Sequence, residues 1–332
     1  MDRDAAESLI AEIYAAVLCR APRANELGYW TDRAQAGESA TSLLADFRNS
    51  NEYKKLRSVP LVVPPGHFYS PIVDPDSVRS YVKRFAGAKP ESIHGISFPI
   101  EDMRQFWIAN SDQFALSWGA QDRYTRTPGD YPESDARTLR TMITAFGPAR
   151  IIEIGSGGST ACMLDAFDTA RLHPKLTCIE PNPREWLLNG FGSQTDRERF
   201  ELIQSNVQDV PLSVFETLDR NDILFIDSTH VLKTGSDVHY ELFSILPILK
   251  PGVLVHFHDC RYPFEYPNPF IFEKNRSWNE VYAVRALLMY SSRFQIIFYN
   301  SLFAKMHANL IKEKCPRFLI NPGSSLWLKT AG

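Results

Sequence analysis

Cysteine is scarce in this chain, and the few present do not form a pattern. The five cysteines, Cys19, Cys162, Cys178, Cys260 and Cys315, are odd in number, far apart and never spaced as C-x-x-C. That argues against a disulfide framework or a zinc knuckle and implies a reducing, cytoplasmic setting. Excess charge of either sign is also missing: 36 basic against 39 acidic side chains leave a formal net charge of -3. Such a balance offers no broad footprint for nucleic acid or an anionic membrane, and a small, roughly neutral ligand fits it better. No apolar run reaches the roughly 18 residues of a membrane span. The opening "MDRDAAESLIAEIY" carries acids where a secretory leader carries a basic stretch. A P-loop is excluded as well, because no G-K-[ST] occurs.

What is present suffices for a large buried core. With 332 residues and 44% hydrophobic content, the chain can build one large α/β domain plus a smaller one. Residues 1–57 read as a small all-α domain. Leu9, Ile10, Ile13, Val17 and Leu18 make one helical stripe, Leu27, Trp30 and Ala34 a second, and Leu43, Leu44 and Phe47 a third. Tyr14, Tyr29 and Trp30 read as its core filler. Residues 58–75, "VPLVVPPGHFYSPIVDP" at their centre, read as a stiff proline-rich linker. Residues 76–147 form a lead-in segment of mixed helical pattern that caps the domain to follow. In "SDARTLRTMITAF", Ser134 is placed to cap a helix with Leu139, Met142, Ile143 and Phe146 on one side.

From residue 148 to 332 apolar runs alternate with amphipathic helices, the pattern of a parallel sheet built from βαβ units. The strands expected are "RIIEIG", "LTCIE", "FELIQS", "DILFID" and "GVLVHFHD". Leu242, Ile245, Leu246 and Leu249 make a helix that stops at "KPG". Two later runs, "FQIIFYN" and "SSLWLKT", are expected to close the sheet as an antiparallel hairpin at its edge.

The stretch "RIIEIGSGGST" puts three glycines in the first strand-to-helix turn, where a doubly wound sheet receives its ligand. A turn without Cβ atoms lets a ligand approach the main chain, and the helix that begins at Ser159 or Thr160 offers free N–H groups. A second strand ends in an acid, Glu180, about two dozen residues on, where its carboxylate could accept from a ribose diol. A nicotinamide dinucleotide and S-adenosylmethionine share that geometry. The third glycine of G-x-G-x-x-G would fall at Thr160, so the dinucleotide fingerprint is incomplete.

Taken in order, "IIEIGSGGST", "CIEPNP", "IQSNVQD", "DILFIDSTH" and "ILKPGVLVHFHD" resemble the successive motifs of class I S-adenosylmethionine-dependent methyltransferases. The resemblance covers roughly Arg150 to the C-terminus. It implies a Rossmann-like seven-stranded sheet with an antiparallel C-terminal hairpin, preceded here by the small all-α domain. It also implies a donor site. Glu153 would orient the glycine turn or approach the methionine amine. Gly155, Ser156 and Gly157 would face the cofactor, Glu180 and Pro181 would lie at its ribose, and Asn206 and Val207 near adenine. Asn206 departs from the pattern, since many members carry an acid there. The N-terminal stretch "IYAAVLCRAPRANELGYWTDRAQAGESATSLLADFRNSNEY" resembles a helical domain of unknown function from bacterial proteins associated with polysaccharides or the cell surface. It implies recruitment of a protein partner or self-association.

Methyl transfer needs an aligned acceptor and a group that takes its proton. Half of the eight histidines fall between His230 and His258, within and between "FIDSTH" and "HFHDC". Asp227, His230, His256, His258 and Asp259 therefore cluster at the ends of two adjacent strands. One reading is a divalent metal, magnesium or another, held by Asp227, Asp259 and His258. The D-x-x-H spacing resembles metal-dependent sugar O-methyltransferases, which implies Asp227 in the catalytic centre and His230 as general base. His256, on an apolar strand, reads as a core histidine. His258 and Asp259 are adjacent, so their side chains diverge unless the chain bends between them. Arg261, Tyr262 and Tyr266 stand where an acceptor could bind, and His67, Tyr69, Tyr124 and Tyr131 are lid residues if the connectors fold over the cleft.

The leading expectation is O-methylation of a sugar, glycan-linked or other small-molecule hydroxyl. An NAD-linked oxidoreductase and an inactive binding protein on a methyltransferase fold are the alternatives.

Overall fold

The computed structural model describes residues 2–18, 20–58, 63–87, 93–127 and 131–332. Parts of the expected linker (59–62) and of the lead-in (88–92, 128–130), and Cys19, lie outside the described residues. Two compact units are present, Met1–Ile72 and Val73–Gly332. Among the described residues, no helix is long and apolar enough to cross a membrane.

In the first unit, helices Arg3–Ile13, Ala24–Gln35, Ala40–Asn49 and Asn51–Ser58 enclose a core of Ile10, Ile13, Tyr14, Leu18, Leu43 and Phe47. Asp2 and Ser39 cap two of them by accepting the N–H groups of Ala5 and Ser42. Trp30 packs on Phe47, as its helical spacing required. Tyr29 is 60% exposed, so it is not core filler: it sits one position off the apolar stripe.

The second unit is a seven-stranded sheet in the order β3-β2-β1-β4-β5-β7-β6. The strands are β1 (Arg150–Ile154), β2 (Lys175–Ile179), β3 (Phe200–Ile203), β4 (Ile223–Ile226), β5 (Leu254–Phe257), β6 (Phe294–Tyr299) and β7 (Leu326–Thr330). β1 to β5 are parallel, and β7 runs antiparallel between β5 and β6. Sheets covered on both faces read as continuous apolar runs, and β4 and β5 are buried throughout. His256 is wholly buried on β5, stacked on its cross-strand neighbour Phe225 at 4.0 Å and 2.9 Å from Ser325 Oγ. It is the core histidine its setting suggested.

The lead-in contributes Ile93, Met103, Trp107, Phe114, Leu139 and Met142 to the same core as the sheet. Its main helix spans Glu133–Phe146 and ends at Gly147 in the left-handed region (φ 54°). Ser134 is not its cap. Pro132 holds the N-cap position, and Ser134 lies inside the first turn, its hydroxyl donating to the Phe318 carbonyl. The stripe around Leu246 is not one regular helix either: Asp237–Tyr240 passes into a π turn (Glu241–Ile245) and a 3₁₀ turn (Leu246–Ile248). Pro247 lacks the N–H that regular helix would require there.

Candidate active site

The sheet brings the site together through its register. One residue past each strand end, the ladder continues: Gly155 N donates to Ile179 O (3.0 Å), Glu180 N to Ile203 O (3.1 Å), Asp227 N to Ile154 O (2.9 Å) and His258 N to Ile226 O (3.0 Å). Glu180, Gly155, Asp227 and His258 thus form one row along the carboxyl edge of β2, β1, β4 and β5, where open α/β sheets bind ligands. Two adjoining cavities of about 900 and 530 Å³ open on this row and share Gly155, Glu180 and Asp227.

The glycines of the first turn serve different ends. Gly155 has φ 80°, and a Cβ there would lie 1.9 Å from the Asp227 carbonyl oxygen. The neighbouring strand, not a ligand, makes glycine necessary at 155. At Gly157 a Cβ would meet nothing within 4 Å, so this position faces open cleft. Glu153, wholly buried on β1, organises the turn. Its carboxylate accepts from Ser159 Oγ (2.5 Å) and Thr160 Oγ1 (2.6 Å), and Thr160 Oγ1 in turn accepts the Gly157 N–H (3.1 Å). Burial pushes its pKa up to about 7 against those hydrogen bonds. Ser156 lines the larger cavity. Glu180 accepts the Asn182 N–H at 2.8 Å and lines both cavities. Pro181, Asn206 and Val207 line the smaller one, where the Asn206 amide donates to Asp209 (3.1 Å).

Beyond Asp227 lies a chain of carboxylates and imidazoles. Asp227 Oδ1 is 3.2 Å from His258 Nδ1 and 3.6 Å from His230 Nε2, which is also 3.6 Å from Asp259 Oδ2. His230 Nδ1 meets Glu280 Oε2 at 2.7 Å, and His258 Nε2 lies 3.5 Å from Asp135 Oδ2. Burial alone would lower the His230 pKa, but Asp227 and Glu280 raise it to about 10. His258 is likewise raised against its burial, chiefly by Asp227. Asp227 is held well below the usual carboxylate range, because the two imidazoles outweigh its desolvation.

The left-handed backbone of Asp259 (φ 50°) supplies the bend that lets it and His258 both line the cleft. Asp227, His258 and Asp259 do not form a metal cage, however. Among the described residues no three His, Cys, Asp or Glu side chains are arranged to hold an ion.

Arg261 lines the cleft, but Tyr262 does not; its ring packs near Phe98 and Tyr299. Tyr266 is buried and accepts the Val281 N–H. Tyr131 lines the cleft, while the Tyr124 hydroxyl donates to the Tyr131 carbonyl. His67 and Tyr69 belong to the unit Met1–Ile72, where His67 Nδ1 accepts the Tyr69 N–H (3.1 Å) and Tyr69 is 76% exposed. Sequence reasoning missed Asp135, Glu280, Trp278, Lys274 and Arg276. Only Glu280, an acid at a helix start, gave any local signal, and nothing tied it to His230.

Residues 152–260, which contain the glycine turn and the row of strand ends, match the family described as Methyltransferase domain. Over 178 residues, 50% of this chain and 78% of the relative, the chain is 32% identical to an uncharacterized protein of Archaeoglobus fulgidus. The chain belongs to one family with that protein, and it carries a methyltransferase domain. With its reversed β7, the domain has the fold of S-adenosylmethionine-dependent methyltransferases. Among solved structures, similarity extends to a SAH-bound Podospora anserina methyltransferase (12% identity, 82% of this chain, 100% of that one, TM-score 0.38). It extends also to a methyltransferase from Geobacter sulfurreducens (16% identity, 78% and 97% covered, TM-score 0.35).

Proposed function

We propose that the methyltransferase domain transfers a methyl group from S-adenosylmethionine to a hydroxyl of a sugar, glycan-linked or other small acceptor. The observation that carries this reading is the row Glu180–Gly155–Asp227–His258 beside the open turn at Gly157. The donor supplies an electrophilic sulfonium methyl. Gly155, Ser156 and Gly157 would line its seat, Glu180 would accept from its ribose hydroxyls, and Asn206 and Val207 would flank adenine. The absence of a Cβ contact at Gly157 fits such a neighbour.

On the acceptor side, the carboxylates of Asp227, Asp259 and Glu280 around His230 stabilise the imidazolium that forms when its ring takes a proton. His230 carries its proton at neutral pH, since its pKa is raised to about 10. In its neutral form Nε2 accepts the proton of the hydroxyl, while Glu280 at Nδ1 holds the ring in place. The rate then follows the neutral fraction of His230. No step is assigned to a metal, because among the described residues no three His, Cys, Asp or Glu side chains are arranged to hold one. The test is transfer of labelled methyl from S-adenosylmethionine to a panel of sugars between pH 6 and 10. Labelled product and a rate rising with pH support the reading; reduction of NAD by the same panel, with no methylated product, overturns it.

A further inference from the structure

We propose that the cleft holds a preformed subsite for an anionic group, phosphate or carboxylate, on the acceptor, built by Lys274, Arg276 and Arg261. The charge balance of the whole chain suggested a neutral ligand, but the cleft is locally charged. Its outer wall is the loop that follows Pro267. Lys274 N donates to Pro269 O (3.0 Å) and Arg276 N to Phe270 O (2.8 Å), so both cations ride on a closed, hydrogen-bonded loop. The Arg276 guanidinium carbon lies 4.3 Å from the Phe270 ring centroid and 4.4 Å from that of Trp278. The two rings stand nearly perpendicular, at 83°. Lys274 Nζ is 5.5 Å from the Phe270 ring. Rings at these distances fix the guanidinium while leaving its N–H fork free of counter-charge.

Among the described residues, no carboxylate balances these cations. Among the described residues, Lys274, Arg276 and Arg261 make no ion pair. Among the described residues, the acceptors that steady Arg261 are neutral, Asn321 Oδ1 (3.0 Å) and Gly323 O (3.4 Å). The acids lining the same cavity are engaged elsewhere: Asp227 and Asp259 face His230, and Glu180 accepts from Asn182. Uncompensated cations in a concave wall concentrate anions, and an arginine fork matches phosphate or carboxylate oxygens in pairs.

The subsite is linked to the reacting end by Trp278, whose ring lies 4.4 Å from the His230 ring and also under Arg276. An acceptor held by its anion at Arg276 would therefore lie along Trp278 toward His230. The inference rests on the methyltransferase reading only in calling that occupant an acceptor.

The full-length chain, free and saturated with S-adenosylhomocysteine, is titrated calorimetrically with pyrophosphate and with glucuronate at constant ionic strength in chloride. Either anion should bind, with affinity falling at least tenfold in Lys274→Ala and in Arg276→Ala while S-adenosylhomocysteine still binds. Pyrophosphate alone would identify a phosphate-bearing acceptor, and glucuronate alone a carboxylate-bearing one. The proposal is overturned if neither anion binds above chloride, or if binding survives both substitutions. In the wild-type chain, S-adenosylhomocysteine binding without anion binding would sink the subsite and spare the donor site; anion binding without S-adenosylhomocysteine binding would sink the donor reading and spare the subsite.

Discussion

His230 and Glu280, fifty positions apart in the chain, meet at 2.7 Å between Nδ1 and Oε2, both side chains almost wholly buried. Their backbones are joined too, because the N–H groups of Asn279 and Glu280 both donate to the His230 carbonyl, at 3.0 and 3.2 Å. The left-handed conformation of His230 (φ 62°) turns that carbonyl toward the helix Glu280–Tyr290 and leaves Nε2 to Asp227 and Asp259. Glu280 is thus a positioning residue acting through His230. Glu280→Gln keeps the shape and removes the charge, so the His230 pKa should fall from about 10. The rising limb of the pH–rate profile should then move toward acid by about one unit or more. Binding of S-adenosylhomocysteine should be unchanged. A limb that stays in place, in folded variant protein, would reduce Glu280 to a structural role.

The two glycines of the first turn should separate stability from binding. Gly155→Ala forces a Cβ into the Asp227 carbonyl from a left-handed backbone, and should cost about 3 kcal/mol or more in denaturant unfolding. Gly157→Ala meets no protein atom, so unfolding should change by less than about 1 kcal/mol. Its donor affinity should nevertheless drop about tenfold or more, as the new methyl group occupies the cleft. Equal loss of stability in both variants would contradict the assignment of Gly157 to a ligand.

Glu153 should make stability pH-dependent in a defined window. Its folded pKa, raised from 4.5 to about 7, means the native state holds this proton more tightly than the unfolded chain does. The contribution is fully present below pH 4.5 and lost as pH rises through about 7, amounting to roughly 3 kcal/mol. Glu153→Gln cannot titrate. The difference in unfolding free energy between wild type and variant should therefore change across that window and be flat above it. A constant difference from pH 4 to 8 would show that Glu153 is not held this way.

Chelation provides a further check. Because no three His, Cys, Asp or Glu side chains among the described residues are arranged to hold an ion, treatment with excess chelator should leave methyl transfer within about twofold of the untreated rate. A loss that added magnesium or manganese restores would mean that these side chains rearrange around an ion.

How much of this was legible beforehand follows from the range of each interaction. The strands could be located because both faces of the sheet are buried, so "ILFI" and "LVHF" stand out as apolar runs. The row Glu180, Gly155, Asp227 and His258 followed once those strands were placed, since each ends its own run. Asp135 was obscured by its neighbour Ser134, a conventional cap residue. Its buried carboxylate instead accepts the N–H groups of Ser324 and Ser325, some 190 positions away, a contact that no local pattern encodes. Lys274 and Arg276 belong to no motif, and what marks them is their packing against the rings of Phe270 and Trp278, far from any local pattern. Tyr262 carried the composition expected of a binding residue, but its ring packs among aromatic side chains away from the cleft.

The central claim is that the bend at Gly155–Gly157 and the Glu180 carboxylate together seat an adenosyl donor. Calorimetric titration of the folded chain with S-adenosylhomocysteine tests it most directly, with Glu180→Ala as comparison. The account predicts one site per chain, at least tenfold weaker in the variant, and no heat from NAD. Absence of binding by folded wild-type protein, or affinity indifferent to Glu180, would contradict it.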